Sequence, residues 1–259
     1  MAGPALEDAA FANDPLLQPL LLEASGDPGT VGVIIHGSRG AGVGDRQSDY
    51  DLIWVLTDEG YDRRVATGLP LEETTKYQGR KLTEISYTCL RRLAGPSTPD
   101  WIIQGLATAR VLLDKTGEVA RTLDTLVTIP REKARAEVAE MFDGYLNGFY
   151  RSMKAARRGN ELGARLQAAE SLMYLVRTLF ALERRRPPFH DRLATALDTL
   201  DQQGWASGEL SELFLVILRT AEPERQKTLE ARVESLLRER GYGDVVEAWD
   251  GEIERVKGL

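Results

Sequence analysis

The apolar positions along the chain change their period once. Up to about residue 125 they fall in short runs separated by turn residues; beyond Pro130 they recur with helical spacing over long stretches. Val31-Gly-Val-Ile-Ile-His36 is short, apolar and β-branched, the pattern of a buried strand. Asp49 to Leu56 alternates and then becomes wholly apolar, which predicts a second strand. Lys81 to Tyr87 alternates with period two and predicts a third. Asp14-Pro15 reads as a helix start, with the helix running to about Ala24 before the turn Gly26-Asp27-Pro28-Gly29. Gly37 to Gly44 is glycine-rich and predicts a loop or helix start. Asp100 is placed to cap a helix through Ala109, and Val111 to Gly117 reads as a short strand ending in a turn.

After Pro130 the pattern predicts helices at Arg131–Arg158 and Glu161–Arg186, split by Gly159-Asn160 and stopped by Pro187-Pro188. Further helices are expected at Asp191–Gln203, Ser207–Thr220, Pro223–Arg240 and Asp244–Val256. In the second long helix Leu162, Leu166, Ala169, Met173, Val176 and Phe180 form an apolar stripe expected to be core. The fold class expected is therefore α+β. Residues 1–125 form a small mixed β-sheet flanked by helices, and residues 126–259 form an all-α bundle.

Composition adds limits. The 259 residues are 42% hydrophobic and 28% charged, enough to build a core in each half. A single cysteine, Cys89, excludes an intrachain disulfide; it reads as a small apolar residue near a strand end. Met1 to Ala10 has no basic run before an apolar stretch, and Leu16 to Leu22 is far shorter than a membrane span, so a cytoplasmic protein with no membrane association is expected. The net charge of −7 disfavours nucleic acid as a partner. The charge is uneven: residues 131–186 hold 12 basic against 7 acidic residues, while both flanking segments are acidic.

The chemistry concentrates in His36-Gly37-Ser38-Arg39 and Asp49-Tyr50-Asp51. A glycine directly after a buried strand lets backbone amides approach a ligand closely, and Ser38 adds a hydroxyl donor, a combination suited to phosphate. Asp49 and Asp51 stand at i and i+2 of a strand. Both carboxylates then share one face, roughly 7 Å apart at Cα. Carboxylates that close repel one another unless a cation sits between them, and Mg²⁺ is a hard cation that takes oxygen ligands and keeps substrate phosphates in its shell. Glu84, on the third strand, completes a three-carboxylate site for two metal ions if that strand lies beside the second.

Gly37-Ser38, a ten-residue spacer and Asp49-x-Asp51 on a strand resemble the signature of the nucleotidyltransferase superfamily, the DNA polymerase β-like enzymes. The resemblance is to its small-molecule branch, which includes the aminoglycoside and lincosamide nucleotidyltransferases. It covers about 50 residues by motif and nearly the whole chain by domain order. It implies that Gly37 and Ser38 hold the β- and γ-phosphates of ATP or another nucleoside triphosphate, and that Asp49 and Asp51 bind Mg²⁺. Glu84 would be the third metal ligand or the general base. The implied reaction is attack of a hydroxyl of a small acceptor, possibly an antibiotic, on the α-phosphorus with release of pyrophosphate. An enzyme that modifies a protein or acts as an antitoxin, and a non-catalytic nucleotide-binding relative, are the alternatives.

Other residues are candidates for support. Glu170, Tyr174 and Arg177 lie at i, i+4 and i+7 beside the expected stripe. By the resemblance, Glu170 would be a general base and Arg177 a phosphate contact. Arg39 and Arg46 flank the glycine-rich loop and are candidate nucleotide contacts. Arg151, Lys154 and Arg158 share one helical face. The sequence leaves the oligomeric state open.

Overall fold

The computed structural model describes residues 11, 14–77, 80–95, 98–200, 204–249, 251, 255 and 258. The chain forms two compact units, Met1–Thr128 and Ile129–Leu259. The fold is α+β: a five-stranded mixed sheet flanked by helices, followed by a helical region.

In the first unit the elements are α1 (Leu17–Gly26), β1 (Thr30–His36), α2 (Gly37–Gly40), β2 (Tyr50–Leu56), α3 (Asp58–Ala66), β3 (Glu72–Tyr77), β4 (Arg80–Cys89), α4 (Leu90–Leu93), α5 (Asp100–Leu106), β5 (Arg110–Asp114) and α6 (Glu118–Val127). The strand order is β3-β4-β2-β1-β5. β2 runs parallel to β4; the other pairs are antiparallel. β1 and β2 are apolar almost throughout because both faces of the sheet are covered. Leu17, Leu21 and Ala24 of α1 pack with Val33, Ile35, Leu52, Trp54 and Leu112 on one face, where Cys89 is also buried. Leu93, Leu106, Val119 and Leu123 of α4, α5 and α6 pack with Ile34, Ile53 and Val55 on the other. Asp14 Oδ1 accepts from the amides of Leu16 and Leu17 at 2.9 and 3.3 Å in the turn before α1, whose N-cap position is Leu16 and not Asp14.

Four elements had no sequence expectation, among them the single turn α4. β3 is an edge strand with no apolar face to announce it. It is fixed by its ladder with β4 and by an ion pair of Glu73 with Arg64, whose guanidinium lies 3.5 Å from the Tyr87 ring centroid. α3 buries only Tyr61, so no stripe marks it; the Thr57 hydroxyl, accepting from the Gly60 amide at 3.0 Å, starts it. α6 begins where the sequence shows a turn, because Gly117 at φ 72° serves as the helix entry.

The second unit contains α7 (Arg131–Arg157), α8 (Glu161–Leu182), a 3₁₀ turn at His190–Arg192, α9 (Leu193–Leu197), α10 (Glu209–Thr220), α11 (Pro223–Glu239) and α12 (Gly243–Glu247). Two expected helices fall short of what the pattern predicts. α8 stops at Leu182 because Arg184 turns left-handed (φ 58°), and Arg184 then exchanges hydrogen bonds with Ile129: its carbonyl accepts at 2.7 Å and its Nε donates at 3.0 Å. The stretch from Asp191 gives only the 3₁₀ turn and α9, and its expected end at Gln203 lies outside the described residues. Of the stretch to Val256, residues 250, 252–254 and 256 also lie outside them.

The stripe expected to be core on α8 is corrected. Leu162, Leu166 and Met173 are 71%, 60% and 53% exposed. Val176 and Phe180 are buried as expected, and the rest of the buried side is Ala164, Ala168, Ser171, Leu172, Leu175, Thr178, Leu179 and Ala181. The reason is steric. α7 approaches α8 closely at Gly144 and Gly148, which sets Tyr174 and Ser171 against it and turns Leu162, Leu166 and Met173 outward. A Cβ on Gly148 would lie 2.9 Å from Ser171 Cα, and one on Gly144 2.5 Å from the Tyr174 ring. Two buried hydroxyls fasten the pair: Ser152 donates to the Ala164 carbonyl at 2.9 Å and Ser171 to the Tyr145 carbonyl at 2.8 Å. Among the described residues, no helix is long and apolar enough to cross a membrane.

Substituting Gly148 by alanine tests this packing. Alanine favours a helix by about 1 kcal/mol over glycine. Here the new methyl meets backbone, and forcing helices apart costs about 1–3 kcal/mol. G148A is expected to lower the denaturation midpoint; a raised midpoint would show that the helices do not approach this closely.

Candidate functional site

The site is built at the carboxyl end of β1 and the amino end of β2. In the sheet His36 of β1, Asp51 of β2 and Glu84 of β4 are directly paired, one row across three strands. The expectation that Glu84 lies beside the second aspartate therefore holds as a matter of register. Asp49 precedes β2 by one residue and, two positions from Asp51, shares its side of the strand.

Gly37 follows at φ 70° and opens the single turn α2. It is required twice over. Its left-handed backbone disfavours a side chain, and a Cβ there would stand 2.0 Å from Asp51 Oδ2. The Asp51 carboxylate thus rests against the backbone of the glycine turn. Ser38 is half-buried in the same turn.

Tyr50, between the two aspartates, points to the other side of the sheet and is buried. Its hydroxyl donates to Asp14 Oδ2 at 2.7 Å, and the Arg39 guanidinium covers its ring at 4.1 Å. Arg39 also donates to the Ser48 carbonyl from Nε (3.1 Å) and Nη2 (2.8 Å), and to the Asp45 carbonyl at 3.2 Å. The structure thus uses Arg39 to tie α2 to the loop leading into β2. Arg46 is exposed within that loop.

The three carboxylates meet around one positive charge. Lys81 Nζ lies 2.7 Å from Asp49 Oδ2, 2.6 Å from Glu84 Oε2 and 3.8 Å from Asp51 Oδ1. Among the described residues no three of His, Cys, Asp and Glu stand grouped as a ready-made metal cage. The carboxylates are drawn around the ammonium instead. Hydrogen bonds to Asp49 and Glu84 hold the Lys81 ammonium well above the ordinary lysine range. Burial, then the charge of Asp49, pushes the Asp51 carboxyl up; the charges of His36 and Lys81 pull it partly back. Sequence reasoning did not single out Lys81. Strict alternation puts residues 81 and 84 on opposite faces of a strand. In the β3–β4 ladder, however, Thr75 pairs with Thr83 and Lys76 with Lys81, so Leu82 is an extra residue. This bulge turns Lys81 to the side of Glu84.

The remaining candidates lie in the second unit. Glu170 and Arg177 are exposed on α8, and Glu170 Oε2 accepts from Gln167 Nε2 at 3.0 Å. Tyr174, between them, is half-buried and packs against Gly144.

Residues 97–192 match the model of a domain family described as a domain of unknown function, DUF4037. That stretch contains Glu170 and Arg177 but none of Gly37, Asp49, Asp51 and Glu84. No curated protein matches the chain. Among solved structures the chain is similar to a nucleotidyltransferase-like protein from Exiguobacterium sibiricum 255-15, with 14% identity, 88% of this chain and 76% of that chain covered, and a TM-score of 0.40.

Two predictions follow from the local physics. Because the carboxyl of Asp51 is raised in the folded chain, its ionisation opposes folding. Stability is full below the unfolded carboxylate value near 4 and is lost as pH rises through the folded value. D51N removes this penalty. In metal-free buffer it is expected to melt higher than the wild type at pH 7, with the difference closing below about pH 4; a difference independent of pH would contradict the assignment. G37A adds left-handed strain, of order 1–3 kcal/mol, to the collision with Asp51. It should lower the melting temperature by more than alanine at Gly68, which has φ 70° but open space around it.

Proposed function

We propose that the chain is a Mg²⁺-dependent nucleotidyltransferase that moves a nucleoside monophosphate from a nucleoside triphosphate, ATP in the first instance, to a hydroxyl of a small acceptor. The observation that carries this reading is the convergence of Asp49, Asp51 and Glu84 on one cation beside the Gly37 turn. The donor set fits magnesium: three carboxylates, all hard oxygen ligands, gathered where an ammonium already takes up the charge. Asp49, Asp51 and Glu84 would hold the ion or ions. Bound there, Mg²⁺ supplies charge neutralisation at the triphosphate and at the attacking and leaving oxygens.

The chain's own groups do the positioning. Gly37 brings backbone close to the site with no side chain in the way, and Ser38 offers a hydroxyl donor toward the β- and γ-phosphates. Arg39, Tyr50 and Asp14 hold the turn and the β2 start in register from the other side of the sheet, so the two aspartates are presented on a fixed frame. An acceptor of the aminoglycoside or lincosamide kind is the substrate class to try first.

Calorimetry with ATP, with and without Mg²⁺, tests the reading at its base. The triphosphate and the three carboxylates are all anionic, and two unit charges 4 Å apart repel by about 4 kcal/mol at an intermediate dielectric. ATP is expected to bind measurably only with the metal, and equal affinity in both buffers would sink the proposal. Pyrophosphate release with labelled triphosphates and a panel of aminoglycosides and lincosamides then identifies the acceptor. D49N is expected to abolish that release while remaining folded. Release that needs a protein acceptor would favour a protein-modifying enzyme. Binding without turnover on any acceptor would favour a non-catalytic relative.

A further inference from the structure

We propose that Lys81 is a built-in counter-cation: in the free protein its ammonium holds the position among Asp49, Asp51 and Glu84, and a divalent ion must displace it to enter. This rests on reading the cluster as a metal site.

Three observations lead to it. The ammonium is within hydrogen-bond reach of two of the carboxylates and 3.8 Å from the third, so it occupies their common focus and is not merely a neighbour on the rim. Its position is built in by the backbone, since the extra residue Leu82 in β4 is what brings Lys81 to Glu84's side. The side chain is 38% exposed, so the four-carbon stem has an open route to leave by.

The physics is competition for one place. Divalent ions sit at about 2.0–2.6 Å from oxygen ligands, which leaves no room for an ammonium bonded to the same oxygens. The apparent affinity for the ion is then the intrinsic affinity multiplied by the fraction of molecules in which Lys81 has swung out. Occupation by lysine also means that the cluster does not face solvent as three uncompensated negative charges. A nucleotide changes the balance, because it brings further oxygen ligands to the ion and an anion for the released ammonium. Metal and nucleotide should therefore load together.

The test is Mn²⁺ binding to the nucleotide-free protein, read from the free-ion signal in electron paramagnetic resonance, for wild type, K81M and K81Q. Both variants are expected to bind Mn²⁺ about tenfold more tightly than wild type, as removal of a charged hydrogen-bonding competitor implies. D49N in the K81M background should lose that gain. Melting curves in EDTA and in Mn²⁺ accompany the titration, because the variants leave the carboxylates uncompensated. A variant that is destabilised in EDTA and rescued by Mn²⁺ supports the proposal, since the ion then replaces the lysine's charge. Equal Mn²⁺ affinity in all three proteins overturns it while leaving the metal site intact. Loss of fold in both buffers overturns it too, because the lysine would then be needed for more than its charge. Absence of Mn²⁺ binding in every protein overturns the reading of the cluster itself.

Discussion

Three carboxylates that the strand register holds close together share one positive charge among them. Asp51 is paired in the middle of the sheet, between His36 and Glu84, and its carboxyl is pressed against the Gly37 backbone. It cannot move away from Glu84 without breaking the parallel β2–β4 register. The repulsion this fixes is therefore a property of the fold and not of side-chain choice. Lys81 answers it in the free chain. The same constraint explains the glycine at position 37, since any side chain there would occupy the space of the Asp51 carboxylate.

Holding charges in place needs support from the other side of the sheet, and the tyrosine between the aspartates supplies it. Its hydroxyl is anchored on Asp14 at the start of α1, and Arg39 closes over its ring while gripping the loop at Ser48. Arg39 belongs to the glycine turn and Tyr50 to the aspartate strand. The two halves of the motif are thus joined by a contact on the face opposite the carboxylates.

Much of this was legible in the sequence, and the failures have identifiable causes. β1, β2 and β4 announce themselves because both sheet faces are covered or because the residues alternate. β3 does not, because an edge strand needs no apolar face; its stability comes from pairing and from the Arg64–Glu73 contact, which is long-range information. The row of Asp51 and Glu84 followed from spacing plus one assumption about neighbouring strands. Lys81 did not follow, because a single inserted residue inverts the alternation on which facing is judged. On α8 the error had the opposite origin. The helix is apolar around so much of its surface that two stripes compete, and the one carrying Leu162, Leu166 and Met173 looks like core. The stripe through Ala164, Ala168, Ser171 and Leu175 wins because Gly144 and Gly148 of α7 allow the backbones to close in.

The charge balance of the cluster also explains why a lysine suits it better than a protonated acid. With Lys81 in place, three negative charges meet one positive, so a net attraction for a divalent ion survives. A site neutralised completely would lose that attraction, and a site left bare would add repulsion to the burial that already pushes the Asp51 carboxyl up. An ammonium on a flexible stem satisfies both demands. In the free chain it lies against all three carboxylates, and on the proposed reading it is a single charge that a doubly charged ion would outcompete once phosphate oxygens completed the ion's shell. An arginine would satisfy the first demand but not the second as well: its planar fork binds carboxylates in pairs, and it would be harder to displace. On the proposed reading, the residue type at position 81 follows from a requirement to be both present and replaceable.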